Sequence, residues 1–334
     1  MNVYFNQNFW DKRQNGDVGI PQKVNWNFLY DSKQYYIPTI YKFSYGVTID
    51  IISLMDNKII NSFIEKYEHK INDMTEEDRL FLEDILPFKD LPIKNIYIND
   101  ELTMNNSGCS SFYISCSNKY ENENNQLIEM KNEYDFLRGN DISFQCKRIH
   151  VKFNNNPDKE IITLKLTTSK TEYIIPIKKH FKIDLQMSEE EYEQEFTHPL
   201  TNKTYYLYIY DVKKYNARET FPQFEENNPY YYAGFNYELA PELQGDERLF
   251  LDEIKQVDEE NQTCASSAAS IGIIGGSDQA INLYTKGEKN LGKHGYPVNH
   301  IFTRMYFKNL KEIEMSIVGI YKEKLTEQTI MLNL

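Results

Sequence analysis

One stretch of the chain combines glycines with a carboxylate in an order that suits an ion or a small ligand. Small residues and an isoleucine-rich run lead into Gly275, Gly276, Ser277 and Asp278. Two consecutive glycines can adopt positive φ and turn neighbouring backbone N–H groups toward one anion. The Asp278 carboxylate could instead ligate a cation, cap a short helix or close a turn. An ion or ligand site at residues 275–278 is therefore one interpretation of this stretch.

The other interpretation is the turn of a β-hairpin. The isoleucines of residues 271–274 are β-branched and favour a strand. Ile281 and Leu283 then alternate with polar or aromatic residues, as a returning strand would. The glycines supply the unusual dihedral angles, and Asp278 accepts backbone N–H groups within the turn. The sequence favours this interpretation.

Histidines that follow the glycine motif are weak candidates for a metal site. His294 and His300 flank a Gly-Tyr-Pro loop, and with Asp278 they would provide two imidazoles and a carboxylate. The same carboxylate with either histidine could instead serve a hydrolase. His198 precedes Pro199 but has no partner at a fixed spacing, which favours a structural role at a turn.

Sequence motifs for known catalytic and cofactor sites are missing from the chain. It contains no Walker loop, no G-x-S-x-G, no dinucleotide fingerprint and no H-E-x-x-H. We therefore assign no catalytic residue and predict no cofactor from the sequence.

The run AASIGIIGGSD at residues 268–278 resembles the IGIIGGADGPT segment of the membrane β subunit of sodium-translocating decarboxylases. The aspartate of that motif lies in the family's sodium pathway, so the resemblance implies that Asp278 contacts a cation. The similarity spans about twenty residues and departs at residues 279–281, where this chain has Gln-Ala-Ile in place of Gly-Pro-Thr. The remaining sequence also lacks the transmembrane helices that bury the aspartate in that family.

The chain as a whole is similar to an uncharacterised group of soluble proteins from gut Firmicutes. Those proteins carry a similar glycine motif near the C-terminus. The similarity also includes a strand followed by a helix within residues 37–67, and the His-Pro-x-Thr stretch that begins at His198. This similarity implies a soluble bacterial protein and does not imply an activity.

Composition narrows the classes of partner and compartment. Hydrophobic residues make up 40% and charged residues 26% of the 334 positions, as in folded soluble proteins. A formal net charge of −13 argues against nucleic acid or an acidic membrane surface as partner. The chain has no apolar run long enough to span a membrane, no signal-peptide pattern and few cysteines. These features predict a cytoplasmic protein whose partner is another protein or a small ligand.

Two amphipathic segments in the N-terminal part predict helices that pack on a sheet. The first covers residues 56–71, with Asp56 as its N-cap, and the second lies near residues 75–86 after Thr75. The predicted buried face of the first helix consists of Ile60, Phe63, Ile64 and Tyr67.

Short apolar runs with period two dominate from residue 141 onward and predict antiparallel strands. The expected fold class is therefore α+β, predominantly antiparallel β-sheet with the two N-terminal helices packed on a sheet. We expect an α/β lobe at residues 1–135 and a β-rich lobe at residues 136–334 that contains the glycine motif, although a single domain is compatible with the same pattern.

The sequence predicts a non-catalytic binding, interaction or regulatory protein; the alternatives are a hydrolase and a cation-responsive protein that uses the 275–278 loop.

The turn interpretation predicts that sodium and potassium, compared at equal ionic strength, give the same melting temperature. Asp278→Asn should also change it little, because the side-chain oxygen still accepts a backbone N–H. Gly276→Val should lower it, because a β-branched residue is strained at positive φ. Thermal melts in the two salts test this. A sodium-specific rise that Asp278→Asn abolishes would refute the turn and establish an ion site.

Overall fold

The computed structural model describes residues 1–11, 16–70, 74–115, 125–139, 141–153, 160–186, 190–220, 229–254, 281–283 and 290–334. Strand accounts for 54% and helix for 13% of these residues, and the strands form four mostly antiparallel sheets. None of the helices in these ranges has the length and apolar composition that a bilayer crossing requires.

The chain forms two compact units. The first unit consists of Met1–Thr171 and Lys324–Leu334, and the second consists of Glu172–Glu323. In sequence, the second unit is thus an insertion into the first. The boundary predicted after residue 135 stays a prediction; residues 125–133 and 143–152, on either side of it, lie in the first unit.

Among the described residues, the strands of the first unit form two sheets. Sheet 1 contains β1 (Ile20–Tyr30), β2 (Lys33–Phe43), β3 (Gly46–Met55), β6 (Met104–Tyr113) and β7 (Ser143–Lys152). Sheet 2 contains β4 (Ile93–Ile98), β5 (Glu101–Leu102), β8 (Thr163–Thr168) and β17 (Thr329–Asn333). The strand orders are β1-β2-β3-β7-β6 and β17-β8-β4-β5.

Alternation along the strands places an apolar core between sheets 1 and 2. Val47, Ile49 and Ile51 of β3 belong to this core, together with Leu164 and Leu166 of β8. Successive side chains of a strand point to opposite faces, so the residues between them lie on the other face of sheet 1. That other face carries polar residues beside a second apolar cluster, which includes Ile52, Phe144 and Cys146, and it is buried as well.

A buried ion pair joins β3 and β7 on this second face of sheet 1. Arg148 donates from Nε and Nη2 to the two Asp50 carboxylate oxygens at 2.8 Å each, and both side chains are at most 1% exposed. The third guanidinium nitrogen, Nη1, donates to Gln126 Oε1 at 2.5 Å, and the Phe9 ring lies 4.6 Å from the Arg148 Cζ atom. The pair therefore links sheet 1 to the N-terminal segment 1–11 and to helix α3 (Asn125–Glu133).

A neutral histidine extends the network beside the ion pair. His150 Nε2 donates to the Gln7 backbone oxygen at 3.2 Å, so the Thr48 hydroxyl donates to Nδ1 at 2.8 Å. Burial lowers the pKa of His150, which keeps this arrangement neutral.

The second unit is a sandwich of two further sheets. Sheet 3 contains β9 (Thr171–Asp184), β13 (Arg248–Glu253) and β16 (Glu312–Leu325), in the order β13-β16-β9. Sheet 4 contains β10 (Tyr192–Thr197), β11 (Thr204–Asn216), β12 (Tyr231–Ala240), β14 (Ile281–Leu283) and β15 (Asn299–Phe302), in the order β10-β11-β12-β15-β14. One apolar cluster lies between the two sheets, with Leu207, Tyr237, Leu251 and Met315 among its members.

The predicted α+β class, with two N-terminal helices packed on a sheet, is wrong. Helices do form near the predicted positions, as α1 (Asn57–Tyr67) and α2 (Glu76–Ile85), capped by Asp56 and Thr75. In α1, however, only Ile60 is buried, and the rest of its predicted apolar face is half-exposed. The remaining helices among the described residues are short: α3, a 3-10 turn at Asp135–Leu137 and α4 (Ala217–Thr220). Sheet-to-sheet packing forms the cores instead, because within each unit two sheets bury their apolar strand faces against one another.

We expect Arg148→Met to lower the free energy of unfolding of the first unit by about 3–5 kcal/mol, because the Asp50 carboxylate then stays buried without its cation. Urea unfolding followed by tryptophan fluorescence measures this, since both tryptophans, Trp10 and Trp26, lie in the first unit. Lys147→Met is the matched control: its ammonium contacts the Asp90 carboxylate at 3.4 Å near the surface. Equal effects of the two substitutions would show that the buried pair is not needed for stability.

Candidate functional site

The predicted glycine motif, Gly275, Gly276, Ser277 and Asp278, lies outside the described residues. The structure resumes at Ile281, where β14 begins. β14 pairs antiparallel with β15, and Leu283 lies opposite His300 in this pairing. The segment that follows the motif is thus joined to the strand that carries one of the two predicted histidines.

Both predicted histidines lie at the outer face of sheet 4. Alternation places Ile209, Tyr237 and Ile301 in the sandwich core and the residues between them on the opposite side. The loop of residues 290–298 contacts that side. We call this surface the histidine face; it comprises Tyr208, Tyr210, Asn236, Glu238, His294, Tyr296 and His300.

A fully buried carboxylate holds the loop against the sheet. Glu238 is 0% exposed and accepts the Tyr210 hydroxyl at 2.8 Å through Oε1. Its Oε2 accepts the backbone N–H groups of His294 at 3.1 Å and Tyr296 at 3.0 Å. These charge-assisted bonds replace the water that burial removed from the carboxylate. Burial and the adjacent Glu238 raise the pKa of Tyr210, so its hydroxyl stays a donor.

Close packing at this point requires glycine. A Cβ atom at Gly292 would lie 2.1 Å from Glu238 Oε1 and 2.3 Å from the Tyr210 hydroxyl oxygen. Neither distance is sterically possible. The bare backbone at residue 292 therefore lets the loop approach the buried carboxylate.

The His294 side chain is held by a ring and a carboxylate. Its imidazole stacks on Tyr208 with centroids 3.8 Å apart and planes 8° from parallel. Its Nε2 lies 2.6 Å from Oε1 of Glu191, which directly precedes β10. The His294 imidazole is thus hydrogen-bonded to a carboxylate that lies 103 residues away in the sequence.

His300 is oriented by an amide instead. Asn236 Nδ2 donates to the Asp211 carboxylate at 3.0 Å, so Asn236 Oδ1 accepts from His300 Nδ1 at 2.5 Å. Neutral His300 therefore carries its proton on Nδ1, and the lone pair is on Nε2. A histidine oriented in this way is typical of metal ligands and of general bases.

The predicted set of His294, His300 and Asp278 is brought together only in part. Both histidines lie on one face, but they are bound to different partners, and Asp278 is outside the described residues. Within the described ranges no three His, Cys, Asp or Glu side chains form a group able to hold a metal ion. The metal set therefore stays a prediction.

Sequence reasoning did not select Tyr208, Asn236 and Glu238 of the histidine face, or Glu191, which contacts His294 from outside it. Only Glu238 carried a signal, as a single acid inside an otherwise apolar strand end. The others are ordinary surface residues in the sequence, and pairing across the sheet gives them their roles.

His198 lies at a turn of the second unit and is fully buried. Its Nδ1 accepts the backbone N–H of Leu200 at 3.1 Å. Its Nε2 lies 3.5 Å from the Glu247 carboxylate. The contacts of His198 are therefore those of a residue that stabilises the turn.

A second buried acid lies at the end of β13. Glu253 is 2% exposed and accepts the Arg304 backbone N–H at 3.0 Å and the Tyr306 hydroxyl. The neighbouring Asp252 forms an ion pair with the Arg304 guanidinium at 3.6 Å. Burial raises the pKa of Glu253 to about 7, against a smaller opposing effect of Arg304.

Comparison of the chain with protein-family models, with curated proteins and with solved structures gives no match. The resemblance to the decarboxylase β subunit and to the Firmicutes group therefore stays a prediction, and the function has to be argued from the site itself.

We expect Glu253 to make the protein less stable as the pH rises from about 4.5 to about 7. In this range folded Glu253 holds a proton that unfolded Glu253 has lost, so the folded state binds more protons. Glu253→Gln removes this dependence. The difference in unfolding free energy between wild type and variant should thus change by about 2–3 kcal/mol across the range. Urea unfolding at several pH values measures it, with the exposed Glu312→Gln as control. A constant difference would show that Glu253 does not titrate there.

Proposed function

We propose that the chain is a non-catalytic binding protein of the bacterial cytoplasm and that the histidine face binds its protein partner. The proposal rests on the hydrogen bonds that hold the polar groups of this face in place. Glu238 accepts three donors, His294 contacts Glu191, and His300 contacts Asn236. Such a surface is already in a fixed conformation before a partner arrives, which lowers the entropic cost of binding.

The composition of the face suits protein recognition. Tyr208 and Tyr296 supply wide ring surfaces with few rotatable bonds, and a stacked histidine restricts Tyr208 further. Tyrosines of this kind are enriched where proteins bind other proteins. The ring surface thus supplies apolar contact, and the surrounding amides and carboxylates supply specificity.

Charge favours a basic or neutral partner segment. Glu191 and Asp211 place carboxylates at the face, and the chain has a formal net charge of −13. A basic segment is attracted to such a surface, whereas nucleic acid is repelled. The free thiols of Cys109 and Cys146 fit the reducing cytoplasm that the proposal assumes.

The hydrolase alternative has one observation in its favour. The chain from His300 through Asn236 to Asp211 fixes the histidine tautomer, as orienting groups do for a catalytic base. A nucleophile or second acid would have to come from elsewhere, with Asp278 as the sequence candidate. The cation-responsive alternative depends on residues 275–278 and is tested by the sodium and potassium melts.

Site-specific photo-cross-linking in cells that produce the protein tests the proposal. A benzoylphenylalanine at position 208 or 296 should give one discrete adduct with a partner protein. The same probe at Tyr97, a half-buried tyrosine of sheet 2 in the first unit, is the matched control and should not. With the purified partner, Tyr208→Ala should weaken binding about tenfold or more, because the stacked ring lies at the centre of the face.

Two outcomes would contradict the proposal. Adducts that form equally well at position 97 would place the binding surface elsewhere. Hydrolysis of ester, phosphate or peptide test substrates that is lost in His300→Ala, but kept in the exposed His69→Ala, would establish the hydrolase instead.

A further inference from the structure

Strand β10 is an edge of sheet 4. It pairs with β11 on one side, and among the described residues no strand pairs with its other side. Its register with β11 is continuous from Tyr192 opposite Ile209 to Thr197 opposite Thr204. Proteins usually protect such an edge with proline, lysine or a bulge, and β10 contains none of these. The edge is therefore suited to pairing with a further strand.

The backbone groups of Glu193 and Glu195 face this free edge. In the turn between β10 and β11 the His198 N–H donates to the Lys203 oxygen, and hydrogen-bonded positions alternate from there along an antiparallel pair. Every second residue of β10 thus bonds to β11, and Glu193 and Glu195, which lie between those residues, point away from it. The Lys179 ammonium of β9 donates to the Glu195 backbone oxygen, which agrees with this direction. A partner strand would supply a backbone N–H in its place.

A row of glutamates follows the same edge on the outer face of sheet 4. Phe196 belongs to the sandwich core, so alternation places Glu193 and Glu195 on the outer face, where both are exposed. Glu191 lies on this face too, because its carboxylate contacts His294. Strand geometry separates successive members of the row by about 6–7 Å. The acidic row is thus continuous with the histidine face.

The acidic row selects the kind of strand that can pair with β10. Side chains directly opposite one another on two paired strands attract when their charges differ and repel when they are alike. A second copy of β10 would place glutamates opposite glutamates, so the row disfavours self-association of the chain through this edge. A strand with lysine or arginine at every second position would instead place cations opposite Glu191, Glu193 and Glu195. Its remaining side chains would point toward the core side of sheet 4, where apolar residues are favoured.

We propose that the free edge of β10 binds an extended segment of the partner protein that has basic residues at alternate positions. The segment adds a strand to sheet 4. Its backbone pairs with Glu193 and Glu195, and its basic side chains form ion pairs with the acidic row. This inference rests on the proposed function, because it names the chemistry of the partner segment that lies beside the histidine face.

The capped, dye-labelled peptide KVKVKV is the probe, and fluorescence anisotropy with the purified full chain at low ionic strength is the measurement. The peptide should bind in a saturable way. The peptide KKKVVV has the same composition and charge without the alternation, so it should bind about fivefold more weakly or worse. Equal binding of the two peptides would indicate unspecific charge attraction and would overturn the proposal.

N-methyl groups on the probe test the backbone pairing. The lysines lie opposite Glu193 and Glu195, so their N–H groups point to β10, whereas the valine N–H groups point away from it. A probe methylated on two lysine backbone nitrogens should therefore lose binding, and one methylated on two valine nitrogens should keep it. Equal losses for the two probes would show that no strand is added at this edge.

Two glutamate substitutions test the acidic row. Glu193→Gln should weaken binding of KVKVKV about threefold, the effect of losing one cross-strand charge pair. Glu219→Gln is the matched control, because it removes the same charge from an exposed residue beyond the end of β11, and it should leave binding unchanged. Equal effects of the two substitutions would contradict a role for the row.

Cross-linking in cells separates this proposal from the proposed function. If KVKVKV does not bind but position 208 still gives an adduct, the strand pairing is wrong and the histidine face remains the binding surface. If KVKVKV binds as expected but no adduct forms in cells, the edge is confirmed as a site for basic strands and the proposed function is wrong.

Discussion

A carboxylate buried in a sheet must accept hydrogen bonds from whatever segment covers it, since water no longer reaches it. The same constraint operates in both units. Asp50 on sheet 1 takes two bonds from Arg148, whose remaining nitrogen reaches helix α3. Glu238 on sheet 4 takes backbone N–H groups from the loop of residues 290–298. In each unit the apolar face of a five-stranded sheet forms the core, and a buried acid on the other face fixes the covering segment.

The two buried acids have different consequences for function. The Asp50–Arg148 pair is buried, so its hydrogen bonds stabilise the first unit and are not accessible to a ligand or partner. Glu238 instead holds a loop whose outer side is accessible, and His294 lies on that loop. The same carboxylate that satisfies the backbone thus presents an imidazole beside Tyr208. The proposed role in recognition rests on this preorganised arrangement, which lowers the entropic cost of binding.

Local signals in the sequence were reliable for some elements and misleading for others. Asp56 and Thr75 cap helices near the predicted positions, because capping depends only on the next few residues. The spacing of apolar residues in α1 overstated its burial, since of the predicted face only Ile60 is buried. Strand β1 carries a weaker local signal, although Trp26 and Phe28 alternate with exposed residues there. Its polar positions obscured the period, and burial against sheet 2 makes the strand stable.

The sequence by itself determined the abundance of β-structure, the helix caps and the acidic charge, and it indicated His294 and His300 as candidate site residues. Those properties depend on short stretches or on composition. Only the tertiary structure decided which groups meet: Glu238 lies 56 residues from His294, Asp50 lies 98 from Arg148, and Glu191 lies 103 from His294. Contacts over such separations follow from strand order and register. A shift of one residue in register would turn the Asp50, Arg148 and Glu238 side chains to the opposite faces of their sheets.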